Sequence, residues 1–367
     1  MSRSQPTWFI PTRIEEDEIL SSWLIRSALD SGCSPLTMIG LLWGKRRVLT
    51  IDIDRALNHQ MLTDLQRHSN ESFEKILNST LSNSIKKITD KDTKNQSIPW
   101  ILALGQRNRH NYSGRQICIE CLKSDSTPYY RKSWRFAWNT ICSKHNIHLI
   151  DACPYCHQVL QPFQIDTQHQ NFAICTNCGL DMRGHFQHPI ESTLISFQNI
   201  SQAALESGFS YYQNEQVSSI EWFMIMRMWI TGIRALLSSK SNKAHDFLNA
   251  VHPHANSNTL ITPIKFEFLH ASERFKILEI LQSIVQMQPY QLIELANQFQ
   301  ISQSYLWSAN TKLPTQLSEI YTQLKPSNRR KVVIKSTEPT SQPKSKLSVQ
   351  RKWLKLLRKM KTQPPTS

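Results

Sequence analysis

Glycine is scarce, with nine in 367 residues. A nucleotide fold that cradles phosphate on glycine-rich loops is therefore a poor starting point. No Walker A motif occurs. The nearest approach, Gly40-Leu41-Leu42-Trp43-Gly44-Lys45-Arg46, is one residue short and has Arg46 where a magnesium-binding hydroxyl belongs. Neither Gly-x-Ser-x-Gly nor His-Glu-x-x-His is present. Acids number only 28 and form no organised cluster, which weighs against metal-dependent phosphodiester chemistry. The first ten residues lack the basic and apolar regions of a secretory signal. The most apolar stretch, Trp222 to Leu237, carries Arg227 and Arg234 and falls short of the roughly 20 clean residues a membrane span needs. A soluble, cytoplasmic protein that is not an enzyme is expected, with no membrane partner.

What the chain does have is apolar bulk, cysteine and positive charge. Apolar residues make up 40% of it, with ten tryptophans, enough for real cores and for two or three compact units. Lys and Arg number 43, for a formal charge of +15, which favours a polyanionic partner such as nucleic acid. That charge is unevenly placed. Residues 326–367 hold twelve Lys and Arg and one acid, or +11, leaving only +4 for the first 325 residues.

Seven of the eight cysteines fall between positions 118 and 178. Cys118-x2-Cys121 is followed by Cys142-x2-His145, then Cys153-x2-Cys156 by Cys175-x2-Cys178. A two-residue gap lets both side chains of a tight turn address one ion. Four half-sites predict two structural Zn2+ ions, one held by three cysteines and a histidine, the other by four cysteines. Closed four-ligand sites are scaffolding, because catalytic zinc keeps a position open. Disulfides would need an oxidising compartment, and a redox pair would explain one half-site of four. Sequential pairing of the half-sites and a cross-braced arrangement both fit the spacing. Counting ligating thiols as thiolates lowers the formal charge to about +12. Cys33 is left over and reads as inert. The remaining histidines near the half-sites, such as His148, His157 and His185, read as surface groups.

Elsewhere the periodicity is helical. Ile19, Leu20, Trp23, Leu24 and Ala28 mark a first helix ended by Gly32, and Ser34-Pro35 caps a second that runs from about Leu36 to Leu42. The two resemble a helix-turn-helix whose end is the basic cluster Lys45-Arg46-Arg47. The stretch from Ser79 to Ser97 reads as a loop. Trp134, Trp138 and Ile141 read as one helical face, with Arg131, Lys132 and Arg135 turned toward phosphate. Over 290–311, Leu292, Leu295, Ala296, Phe299, Ile301, Leu306 and Ala309 match the buried positions of a DNA-reading helix-turn-helix. Gln303, Ser304, Trp307 and Ser308 would then face a groove, although Gln300 stands where the turn usually has glycine. In the tail, Arg329, Arg330 and Lys331 precede a flexible linker. Arg351, Lys352, Lys355, Arg358 and Lys359 surround the apolar face of a short helix (Trp353, Leu356, Leu357, Met360), which suits nucleic acid.

The fold expected is therefore mainly α. It comprises an N-terminal helical domain (1–100), a double zinc-finger region of ribbon or knuckle modules (101–190), a C-terminal helical domain (191–325) and a flexible basic tail (326–367).

The run Glu18-x-Leu20-x-x-Trp23-Leu24-x-Arg26, the glycine turn and Trp43-Gly44-Lys45-Arg46 resemble the N-terminal signature of TniQ/TnsD proteins. Cys118-Ile119-Glu120-Cys121, Trp134, Cys142-Ser143-Lys144-His145, Leu149 and Cys153-Pro154-Tyr155-Cys156 resemble that family's zinc region. The resemblance covers roughly residues 8–180. It implies a transposon's target-selection subunit without transposase chemistry. Such a subunit binds target DNA, or docks on an RNA-guided CRISPR effector complex. It recruits a separate AAA+ ATPase of the TnsC/TniB type, which then engages the transposase. A cytoplasmic, nucleoid-associated protein follows, with a homodimer left open. A zinc-stabilised transcription regulator is the alternative outside transposition.

Overall fold

The computed structural model describes residues 12–44, 52–55, 57–91, 97–107, 110–169, 171–253, 255, 264–307, 313–326, 350 and 353. Residues 1–326 form one compact unit and 327–367 a second, in which only Gln350 and Trp353 are described, both helical. The first unit is mainly helical.

Its helices are α1 (Leu20–Asp30), α2 (Pro35–Trp43), α3 (His59–His68), α4 (Phe73–Asn78), α5 (Ser82–Ile88), α6 (Ile119–Ser124), α7 (Leu194–Ser207), α8 (Ser219–Leu237), α9 (Asn242–Val251), α10 (Ala271–Gln286), α11 (Pro289–Gln298), α12 (Gln303–Leu306) and α13 (Thr315–Gln323). The described residues also form two antiparallel hairpins, β1 (Leu104–Arg107) with β2 (His110–Ser113), and β3 (Phe209–Tyr212) with β4 (Glu215–Ser218). Among the described residues no helix is long and apolar enough to cross a membrane.

Local chemistry sets the helix ends. The Ser34 hydroxyl accepts from the Thr37 N–H, and Pro35 occupies the first turn, where its missing N–H costs nothing. Ser218 and Glu221 form a reciprocal capping box at α8. Gln213 and Asn214 both take positive φ, the mirror-image turn that suits a two-residue hairpin.

Helix α1 is buried on both faces. Leu20, Trp23, Leu24 and Ala28 pack into an N-terminal core with α2, α3 and α4, whereas Ile19 and Ile25 join the main core. Burial on every side makes the polar partners of α1 matter. Ser22 takes a hydrogen bond from the Tyr130 N–H and gives one to Glu18. The main core runs from the cysteine-rich region into α7, α8 and α10. Three buried polar contacts tie them together. The Trp100 indole donates to the Phe223 carbonyl, Gln198 receives the Thr140 and Ile141 N–H groups, and Arg274 donates to the Ala137 carbonyl and to Gln116.

Three expectations fail. The segment from Ser79 to Ser97 is not all loop, because α5 forms within it, with Leu81 and Ile88 buried. Trp134, Trp138 and Ile141 share no helix. Ser133–Arg135 is a single 3-10 turn and 137–138 lie in a second turn closed by the Asn139 N–H on the Phe136 carbonyl; the tryptophans are buried among stacked rings instead, the Phe136 and Trp138 ring centroids lying 4.4 Å apart. The groove-reading helix expected within 290–311 is four residues long, ending at Leu306, with Trp307 already extended. Gln300 does take the left-handed conformation where glycine is usual, at φ 57.

Candidate metal centres

Three of the four half-sites share one backbone design. In each, the first cysteine's N–H bonds a carbonyl five residues on, at Ile147, Gln158 and Leu180, over 2.8–2.9 Å. In return the N–H four residues on, at Asn146, His157 and Gly179, bonds the cysteine's own carbonyl. That residue adopts positive φ each time: 52, 58 and 73. The chain thereby reverses tightly enough for both ligand side chains to point inward. Asparagine, histidine and glycine are among the residues that tolerate the left-handed region. His157 is thus a turn residue beside the ligands. The fourth half-site is different. Cys118 is the N-cap of α6, and its sulfur accepts from the Cys121 N–H.

These turns bring the eight side chains into two clusters, Cys118, Cys121, Cys142 and His145, and Cys153, Cys156, Cys175 and Cys178. The pairing is sequential, not cross-braced. In the first, the Cys121 and Cys142 sulfurs are 3.6 Å apart, and His145 Nδ1 lies 3.4–3.6 Å from all three sulfurs. In the second, Cys153 faces Cys178 at 3.8 Å and Cys156 faces Cys175 at 3.7 Å. Zn–S bonds of about 2.3 Å at tetrahedral angles require sulfur separations of about 3.8 Å, and sulfur–nitrogen separations of about 3.5 Å. Both clusters can hold a metal ion of that size.

The electrostatics call for a cation. Hydrogen bonding with Cys118 and Cys121 brings the Cys142 thiol down to about 2, while the same contacts push Cys118 up. Three sulfurs this close cannot all ionise unless positive charge enters among them. In the second cluster, the Gln158 N–H and the Asn177 side chain bring Cys156 down to about 6. Both clusters reach into the main core, the first through Cys118, Cys121 and Cys142 and the second through Cys153 and Cys175, while the second also has Cys178 exposed and Cys156 half-buried.

Several residues expected to meet nucleic acid are occupied elsewhere. Arg135 is only 1% exposed, its guanidinium set between Asp52 and Asp54, so it cannot reach phosphate. Arg131 makes a two-pronged contact with Asp125 and lies over the Tyr129 and Trp134 rings. The Lys132 ammonium donates to the Asn78 carbonyl. Trp307 is buried, with its indole donating to the Met228 carbonyl. The Gln303 amide donates to the Tyr321 carbonyl, and Ser304 meets Ser302. The physical reason is that the chain after α13 lies along α12, pairing Lys325 with Ser302 and Gln303. Lys45, Arg46 and Arg47 lie outside the described residues, as do Ser308, Arg329, Arg330, Lys331, Arg351, Lys352, Lys355, Arg358 and Lys359.

Sequence reasoning missed a buried ionic cluster. Asp54 receives the Ser21 N–H and hydroxyl together with the guanidiniums of Arg115 and Arg135. The N-terminal signature residues are structural in the same way. Glu18 accepts from Arg26, Ser22 and the Glu15 N–H, and the Trp23 indole donates to the Thr12 carbonyl. The signal available was the pair of acids Asp52 and Asp54 either side of the apolar Ile53, in what proves to be a turn.

No curated protein matches this chain. The TniQ family model matches residues 10–149, which takes in α1, α2, the ionic cluster and the whole of the first metal-binding cluster. Over that stretch, less than half of its length, the chain is similar to the TniQ domain, which is found in transposition-associated proteins.

Proposed function

We propose that this protein is the target-selection subunit of a transposon, holding two structural Zn2+ ions, binding target DNA and recruiting an AAA+ ATPase that directs the transposase. The observation that carries this is the TniQ match over 10–149, with a closed, four-ligand cluster inside it. Cys118, Cys121, Cys142 and His145 would hold one ion and Cys153, Cys156, Cys175 and Cys178 the other. The ions would fix turns that have little apolar bulk of their own. A part as adaptor, not enzyme, fits the absence of a Walker motif from the sequence.

DNA contact in this reading falls to Lys45, Arg46 and Arg47 and to the tail cations, which include Arg329, Arg330, Lys331, Arg351, Lys352, Lys355, Arg358 and Lys359. A charge of +11 over 42 residues gives strong but sequence-blind affinity. Burial of Arg135 and Trp307 favours a second reading, in which the folded body docks on protein, including an RNA-guided effector complex, and only the tail touches DNA.

Pull-down with the ATPase of the same transposon, with and without target DNA, tests the proposal. Capture of the ATPase supports it, and no capture under either condition rejects it. Gel-shift titrations of the full chain and of a chain ending at 325 separate the two readings. Sequence preference that survives truncation supports direct readout by the body, whereas loss of all DNA binding supports the docking body.

A further inference from the structure

Beside the first metal-binding cluster lies a cavity of about 150 Å³, walled by residues 131–141, residues 142–144 and α7. Trp134, Ile141 and Leu149 give it apolar sides, and Asn139, Lys144 and Asn199 give it polar ones.

Two polar groups on these walls have no partner among the described residues. Trp134 is only 5% exposed, yet its indole N–H meets no acceptor. An unpaired N–H is rare on a ring so buried. Asn139 gives its amide N–H to the Ser133 carbonyl, which fixes the side chain and leaves Oδ1 unbonded. The charge is also one-sided. Arg131 is held by Asp125, whereas the Lys144 ammonium is exposed and makes no ion pair among the described residues. No carboxylate stands among the described walls.

These features set conditions on an occupant. It carries an acceptor for the indole and an N–H for Asn139 Oδ1, with negative charge near Lys144. A space of this size takes one six-membered ring. A pyrimidine nucleotide meets every condition. Its base edge sets a carbonyl or ring nitrogen beside an N–H, and its phosphate suits an ammonium at the rim. A carboxylate side chain would answer Lys144 and the indole but bring no N–H to Asn139.

We propose that this cavity receives one pyrimidine base turned out of the DNA stack, bonded by Trp134 Nε1 and Asn139 Oδ1, with Lys144 on the adjoining phosphate. The inference rests on the target-DNA reading given above and adds a preference to it. The tail would supply sequence-blind affinity, and the cavity would favour sites with an unpaired pyrimidine, where turning the base out is least costly. Cys121 and Cys142 also line the cavity, so the first metal centre would hold its end in shape.

The test uses the full chain and duplexes of one sequence, with binding read by fluorescence anisotropy at fixed salt. One duplex is fully paired, one carries an extra bulged thymine, one a bulged adenine, and one an abasic residue at the bulge. Affinity for the thymine bulge is expected to exceed that for the paired and abasic duplexes by at least about tenfold. The adenine bulge, with two rings, should fall short of thymine. Equal affinity for thymine and abasic bulges overturns the proposal, and adenine bound as tightly as thymine overturns its assignment to a pyrimidine.

Trp134→Phe keeps a ring and removes the N–H, and Lys144→Gln removes the cation. Each should lose most of the thymine preference and leave affinity for the paired duplex unchanged. Preference kept in both variants overturns the proposal. If Trp134→Phe does not fold, Lys144→Gln decides alone, since its position is exposed. Binding to every duplex without preference sinks this inference and leaves the target-DNA reading standing, whereas binding to none sinks both. No preference, with Lys144→Gln weakening capture of the ATPase instead, would assign the cavity to a protein partner and overturn the proposal.

Discussion

The Arg135 guanidinium and the Asp54 carboxylate lie 2.7 Å apart, both shielded from solvent. Asp54 comes from the turn before α3 and Arg135 from the cysteine-rich region, so their contact joins two stretches some 80 residues apart. Arg115 shares the same carboxylate at 3.2 Å. Two buried guanidiniums meet at Asp54, and Asp52 gives Arg135 a second carboxylate.

Asp54→Ala should therefore cost about 3–5 kcal/mol, the scale for leaving a buried charge without its partner. Urea unfolding followed by tryptophan fluorescence measures it. A loss below about 1 kcal/mol would show that the cluster is not a keystone. Lys132→Ala is the control. Its ammonium makes one partly exposed contact, so the change should fall within about 0.5 kcal/mol.

Removing ligands should separate the two centres. Cys142→Ala should lower zinc content from two ions to one and sharply reduce the yield of folded protein, because its sulfur lies within the main core. Apparent zinc binding in small fingers, about 10–16 kcal/mol, is comparable to the whole stability of a domain. Cys178→Ala should also lose one ion but keep the core, as read by near-ultraviolet circular dichroism. Equal damage from both substitutions would contradict this division.

His157 serves the turn and not the ion, which substitution can demonstrate. His157→Gly should retain two zinc ions, since glycine accepts φ 58 freely. His157→Val should cost about 1–2 kcal/mol from left-handed strain alone. Loss of an ion in His157→Gly, measured by elemental analysis, would instead make the imidazole a ligand.

A weak pH dependence should come from His270 and Asp151, whose ring Nδ1 and carboxylate lie 3.4 Å apart. Asp151 raises the His270 pKa above its ordinary value, burial opposing. A raised histidine stabilises fully below its unfolded pKa and loses that contribution as pH rises through the folded one. Asp151 is held below the usual carboxylate range, despite burial, by His270 and Arg274, so its share vanishes only as pH falls through that lowered value. The ring is largely exposed, so the pair should contribute no more than about 0.2–1 kcal/mol. Thermal melts from pH 5 to 8 should show stability slipping with rising pH in the wild type and flat behaviour in His270→Gln.

The sequence carried the half-sites and the first two helices openly. Ligand spacing is local chemistry, and Ser34-Pro35 and Gly44 write the ends of α2 within a few residues. It misled at Arg135 and Trp307, because a charge or an indole looks the same in sequence whether it meets solvent or a distant partner. Helical spacing across Trp134, Trp138 and Ile141 was right about burial and wrong about the helix, since successive turns can bury side chains among stacked rings equally well. The helix-turn-helix pattern over 290–311 failed in the same way. Apolar spacing there is satisfied by α8 and the chain after α13, which leave α12 only one turn.

By itself, the sequence determined that four half-sites of paired ligands would form and that positive charge would concentrate after residue 326, because both are matters of neighbours along the chain. Only the tertiary structure decided that the half-sites pair sequentially, that the second cluster lies open and the first closed, and that Asp54 holds two arginines. Pairing and burial depend on which distant segments come to lie together, and free energy of packing settles that over the whole core, not over any stretch of residues.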